Sequence, residues 1–114
     1  MIIKSSLPLH SVSRKWLLPN APSGLAASNI TGTGLTLSWD AVSYSEGIKE
    51  YEIYRNGNSI GVRKGTSLAE SGLDAETTYD YQVKAIGVNG LESPLSEVLS
   101  VTTEATENPD PPEE

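Results

Sequence analysis

Between Leu73 and Ala85 the chain reads Leu-Asp-Ala-Glu-Thr-Thr-Tyr-Asp-Tyr-Gln-Val-Lys-Ala. From Tyr79 onward, Tyr79, Tyr81, Val83 and Ala85 fall on one side and Asp80, Gln82 and Lys84 on the other. A period of two belongs to a half-buried β-strand, because successive side chains leave a pleated strand on opposite faces. A tyrosine at the mouth of such a strand can sink its ring into a core and bond its hydroxyl back to the preceding loop. Leu73 and Tyr79 are therefore expected to anchor one end of a β core, with Tyr81 and Val83 further inside it.

The same signature recurs along the chain. A first strand is expected at about 23–29, with Leu25 inward. A second covers 34–39, where Leu35, Leu37 and Trp39 alternate with Thr36 and Ser38. A third covers about 49–55, with Tyr51 and Ile53 on the buried face and Glu50, Glu52 and Tyr54 on the other. Asn56-Gly57 then signals a tight hairpin turn, whose two central positions want positive φ. A fourth strand follows at 59–63, with Ile60 and Val62 sharing a face. The remaining three are placed at 67–70, 79–87 and 96–103. Short strands at regular spacing, separated by turn residues, describe a sandwich or barrel.

Composition narrows the chemistry. At 114 residues the chain holds one domain at most. Cysteine is absent, which removes disulfides, thiol catalysis and thiolate metal sites. The net charge of −7 opposes a nucleic-acid partner, because a phosphate backbone needs a basic footprint. No apolar run approaches the roughly 18 residues of a membrane span. His10 is the single histidine, and no serine–base–acid arrangement surrounds it. Glu50 and Glu52 share a strand face, but Lys49 and Arg55 nearby mark a solvated edge. Gly32-Thr33-Gly34 is a turn with no helix after it, so it cradles no phosphate. Glu104, Glu107 and Asp110 lack the alternating oxygen ligands of a calcium loop. No catalytic residue, metal site or cofactor is expected. Tyr44 and Tyr54 are the exposed rings on which a sugar could stack, which admits a weak glycan contact.

Charge divides the chain into three segments. Residues 1–20 carry Lys4, Arg14 and Lys15 with no acid, mixed with apolar residues in no sustained period. Residues 21–103 hold the strands. Residues 104–114 carry Glu104, Glu107, Asp110, Glu113 and Glu114 with no base, among prolines. In the first segment, Arg14, Lys15, Trp16, Leu17 and Leu18 join charge to large apolar side chains. Arginine and tryptophan are frequent interface anchors, so this run is expected to dock onto a protein partner.

Five pieces stand in order: Pro22 with Leu25, Leu35-Thr-Leu-Ser-Trp39, Tyr51-Glu-Ile-Tyr-Arg55, Leu73 through Ala85, and Val101-Thr-Thr103. In that order and spacing the chain resembles the fibronectin type III family over about residues 21–103. The resemblance implies an all-β, immunoglobulin-like sandwich of seven antiparallel strands. The hairpin 53–61 and the Asn89-Gly90 loop resemble bacterial and phage copies. Ala75 stands where the family usually has proline. The integrin-binding Arg-Gly-Asp of some animal copies is absent, so that activity is not implied. Pro8, His10, Arg14 and Lys15 interrupt any apolar run near the amino terminus, so no signal peptide is expected. The chain therefore reads as a non-catalytic phage structural accessory protein. Its arm would attach to a capsid or tail protein, and its sandwich would face solvent on the virion surface. The alternative is an extracellular spacer or carbohydrate-contacting module of a secreted bacterial enzyme or adhesin.

Overall fold

A computed structural model describes residues 17–105. They form seven strands: β1 (Ala26–Ser28), β2 (Leu35–Ser38), β3 (Ile48–Arg55), β4 (Asn58–Arg63), β5 (Ser67–Glu70), β6 (Thr78–Gly87) and β7 (Leu99–Thr102). All pairings are antiparallel. One sheet has the order β1-β2-β5 and the other β4-β3-β6-β7. Their inner faces close over a core of Leu35, Leu37, Trp39, Tyr51, Ile53, Leu68, Leu73, Tyr79, Tyr81, Val83, Ala85 and Val101. Leu25 is half-buried and packs against its edge. The period-two alternation explains this burial. Each strand contributes every second side chain, and the two sheets interdigitate those sets.

Specific bonds close the two ends of the core. The Asp74 N–H donates to Tyr79 Oη at 2.8 Å, tying the mouth of β6 to the loop before it. Thr103 Oγ1 donates to the Asp74 carbonyl at 2.6 Å and accepts the Thr77 N–H at 3.0 Å. Elsewhere, Trp39 and Tyr51 meet edge-on with ring centroids 5.7 Å apart. The Val42 N–H donates to Tyr51 Oη at 2.9 Å. The sheets are also joined by an ion pair: Arg55 of β3 reaches Glu70 of β5 at 2.5 Å and lies over the Tyr79 ring.

Three details depart from the alternation. The first strand is shorter than expected, because Gly24 passes through a φ of 71° and only Ala26–Ser28 pairs with β2. In the β3–β4 hairpin, the Asn56-Gly57 turn has φ values of 53° and 86°. Its register shifts between Ile53 and Tyr54, so Ile60 has no opposite residue. This bulge separates Ile60 and Val62: Ile60 packs against the core, while Val62 is exposed opposite Glu52. The last strand also pairs over less than 96–103. Upstream of β7, the buried Ser93 and Ser96 replace a regular ladder. Their N–H groups donate to the Ala85 and Val83 carbonyls at 2.8 Å, and their Oγ atoms accept the Ala85 and Val83 N–H groups at 2.8 and 3.0 Å. Pro94, which has no N–H, fits this path and would break a ladder.

Candidate functional site

Three surfaces carry the groups able to meet a partner. At one pole the chain approaches β1 past the tips of the β2–β3 and β6–β7 loops. Tyr44 Oη donates to the Leu17 carbonyl at 2.5 Å and accepts from Asn89 Nδ2 at 3.1 Å. The Tyr44 ring lies against Gly87, where a Cβ would stand 2.7 Å from Tyr44 Cε2. A shallow cavity of about 200 Å³ forms here, between Leu17, Leu18, Asn20 and Ser43–Ser45. Tyr44 therefore clamps the incoming chain, and its hydroxyl is already engaged on both sides.

The second surface is the outer face of the four-stranded sheet. Glu52 accepts from Ser59 Oγ at 2.6 Å and from Tyr54 Oη at 3.2 Å. Lys84 Nζ lies 2.7 Å from Glu92, 3.6 Å from Glu52 and 5.5 Å from the centre of the Tyr54 ring. The Ser59 hydrogen bond, outweighing partial burial, holds the Glu52 carboxyl below its usual range. Bonding to Glu92, then to Tyr54, raises the Lys84 ammonium above the ordinary lysine range. This network joins β4, β3, β6 and the β6–β7 loop. It stiffens a surface, and its carboxylates are occupied as acceptors. Neither Tyr44 nor Tyr54 offers a free hydroxyl.

The third surface is the flank where β1 and β7, each an outer strand, leave a gap between the sheets. A groove of about 530 Å³ runs there between residues 21–25 on one wall and Leu95, Glu97, Val98 and Leu99 on the other. Leu95 and Val98 stay 42% and 53% exposed because the serine-mediated path upstream of β7 turns them outward. The carboxylate of Asp40 rests against Gly24 at the rim.

Of the run expected to dock onto a partner, Leu17 and Leu18 are exposed at the pole. Arg14, Lys15 and Trp16 lie outside the described residues, as does His10. The core set of Leu37, Trp39, Tyr51, Ile53, Leu73, Tyr79, Tyr81 and Val83 is buried between the sheets. Glu50 and Glu52 do share the outer face, but Arg55 is not their neighbour in charge. It bonds Glu70 across the sandwich instead. The signal was available in parity: Arg55 continues the inward series of Tyr51 and Ile53, and Glu70 that of Leu68. Ser93 and Ser96 carried no such signal, since serine is ordinary in loops. Among the described residues, no three or more His, Asp or Glu side chains converge as a metal ion requires.

The family model for the fibronectin type III domain matches residues 20–102. Chitinase Chi52 of Paenibacillus xylanexedens is 43% identical over 94 residues, covering 82% of this chain and 18% of that enzyme. The poly(3-hydroxybutyrate) depolymerase of Ralstonia pickettii is 41% identical over 86 residues, covering 75% of this chain and 17% of that enzyme. The sixth fibronectin type III domain of human fibronectin type III domain containing protein 3 superposes with a TM-score of 0.69 at 24% identity. That match covers 82% of this chain and 93% of the human domain. The chain thus spans less than a fifth of either bacterial relative.

These matches overturn the expectation of a phage accessory protein on a virion surface. That expectation leaned on a lone sandwich with no signal peptide expected, yet the same sandwich occurs as a short part of long bacterial enzymes. By the family match over residues 20–102 and the two-sheet topology that accompanies it, this chain belongs to the fibronectin type III family.

Proposed function

We propose that the chain is a non-catalytic spacer module of an extracellular bacterial enzyme that degrades a polymer. One observation carries this reading. Modules about equally similar to this one, at 43% and 41% identity, sit in a chitinase and in a polyester depolymerase. The first name implies cleavage of glycosidic bonds and the second of ester bonds. A part common to both supplies neither chemistry. The surface agrees with a passive role, since Glu52, Lys84 and Glu92 are tied to one another and both ends of the core are pinned.

The test uses the purified chain with insoluble chitin and with poly(3-hydroxybutyrate). A spacer releases no soluble product from either and stays in the supernatant when the polymer is sedimented. Turnover that a single carboxylate substitution abolishes overturns the non-catalytic reading. Retention on chitin but not on the polyester replaces the spacer with a carbohydrate-contacting module.

A further inference from the structure

Two Asn-Gly pairs occur in the chain, Asn56-Gly57 and Asn89-Gly90. Asparagine is a chemically labile residue, and a following glycine makes it more so. Glycine has no side chain to hinder attack by its own nitrogen, and its backbone reaches conformations closed to other residues. Alike in sequence, the two pairs stand in opposite circumstances in the fold.

At Asn89 every group that could react is engaged. The Gly90 N–H, whose nitrogen would attack, donates to the Gly87 carbonyl at 2.9 Å. Asn89 Nδ2, which would leave, donates to Tyr44 Oη at 3.1 Å, and Oδ1 accepts the Leu91 N–H at 3.2 Å. Asn56 is exposed in the turn between β3 and β4. Neither its Nδ2 nor the Gly57 N–H makes a hydrogen bond among the described residues. Nothing lies within 4 Å of the place a Gly57 Cβ would occupy. Only the acceptor oxygen is held. The Asp80 N–H donates to Asn56 Oδ1 at 2.9 Å, while the Asn56 N–H donates to the Asp80 carbonyl at 2.7 Å. Negative charge gathers on Oδ1 when a nitrogen adds to Cγ, so a donor fixed at that oxygen favours the addition.

We propose that Asn56 is a site of spontaneous deamidation and that the fold protects Asn89 from the same reaction. The Gly57 nitrogen gives its proton to hydroxide and bonds to Asn56 Cγ. The Cγ–Nδ2 bond then breaks, and Nδ2 takes up a proton and departs as ammonia. The ring that remains is a succinimide. Water opens it at either carbonyl carbon. Breaking the bond from nitrogen to Cγ leaves aspartate at position 56, and breaking the bond from nitrogen to the main-chain carbon leaves isoaspartate. Nothing is oxidised or reduced. Either product adds a negative charge to the turn. Aspartate still offers an oxygen to the Asp80 N–H, whereas isoaspartate lengthens the backbone by one carbon and displaces the turn from Asp80. The inference does not rest on the spacer reading.

The test ages the folded full chain in mildly alkaline buffer at body temperature. Samples taken over time are digested in mild acid, and tandem mass spectrometry locates each amide converted to acid. Electron-transfer fragmentation separates aspartate from isoaspartate. Asn56 should convert roughly three- to tenfold faster than Asn89, the factor in rate that a hydrogen bond held by the attacking group is worth. Both aspartate and isoaspartate should appear at position 56. In concentrated urea the two sites should converge, since only the fold distinguishes them. Equal rates in the folded chain, or conversion led by Asn89 or by Asn58, overturn the proposal. A preference for Asn56 that survives unfolding overturns it as well.

Discussion

Tyr79 and Tyr81 stand two residues apart on one strand face, yet their hydroxyls have opposite circumstances. Tyr79 Oη accepts the Asp74 N–H, whereas Tyr81 Oη is fully buried with no hydrogen-bond partner among the described residues. Tyr79→Phe should cost about 1 kcal/mol by leaving that N–H without its acceptor. Tyr81→Phe removes an unsatisfied hydroxyl from the core and should be neutral or slightly stabilising. Denaturant midpoints of the two variants check the contrast. The same burial, reinforced by the charge of Glu70, pushes the Tyr81 pKa up to about 12. A raised acid pKa means that the fold prefers the neutral form. Its contribution is fully present below the ordinary tyrosine value of 10.0 and is lost as the pH climbs from there through about 12. Tyr81→Phe should therefore lose less stability than the parent over that alkaline interval. In the same core, Trp39→Ala should cost about 3–5 kcal/mol, as a large buried ring replaced by a methyl group. A mutant that unfolds at the parental urea midpoint would contradict the packing of Trp39 on Tyr51.

Between elements, the decisive contacts are polar. The Arg55–Glu70 pair links a strand of one sheet to a strand of the other, with side chains 33% and 7% exposed. Because the glutamate is the buried partner, Arg55→Met should be more damaging than Glu70→Gln. It strands a carboxylate, while the reverse change leaves a cation that still reaches water. The expected cost of Arg55→Met is about 1–3 kcal/mol, below that of breaking a fully buried pair because the guanidinium keeps solvent access. A double-mutant cycle measures the coupling. On the outer face, the depressed Glu52 pKa contributes stability that is present above the usual glutamate range. That contribution is lost as the pH falls through the folded value. Ser59→Ala removes the first cause of the shift, so the gap in stability between neutral and acidic pH should narrow. Thermal midpoints at the two pH values test this.

At the scale of the whole molecule, both sheets share a single core, so residues 17–105 should unfold as one unit. Equality of the calorimetric and van't Hoff enthalpies checks that expectation. A spacer must transmit position without contributing chemistry, and the architecture suits this. The pole clamps the incoming chain through Tyr44 and Asn89, while the opposite end is tied by Tyr79 and Thr103. The fold alone does not assign the proposed role, because a sandwich hosts many unrelated tasks. Attachment to a virion and insertion into an enzyme ask the same of the core residues. They differ in what the sandwich is joined to, which the core residues do not encode.

Local order was written in the sequence. Period two placed β2, β3 and β6, while β1 and β7 pair over fewer residues than expected; Asn56-Gly57 set the hairpin turn, and the spacing of Leu73 and Tyr79 foretold the bonded tyrosine. These signals act over a few neighbouring residues, where pleat and turn geometry leave little choice. Only tertiary structure decided the rest. The bulge that parts Ile60 from Val62 arises from how β4 lies against β3. Glu70 meets Arg55 across 15 positions of sequence, and Ser93 and Ser96 stand in for a strand ladder because Pro94 forbids one. The groove exists because β1 and β7 close separate sheets without pairing. Each of these depends on which distant segments become neighbours, and that choice is made by packing both sheets at once rather than by any short stretch of chain.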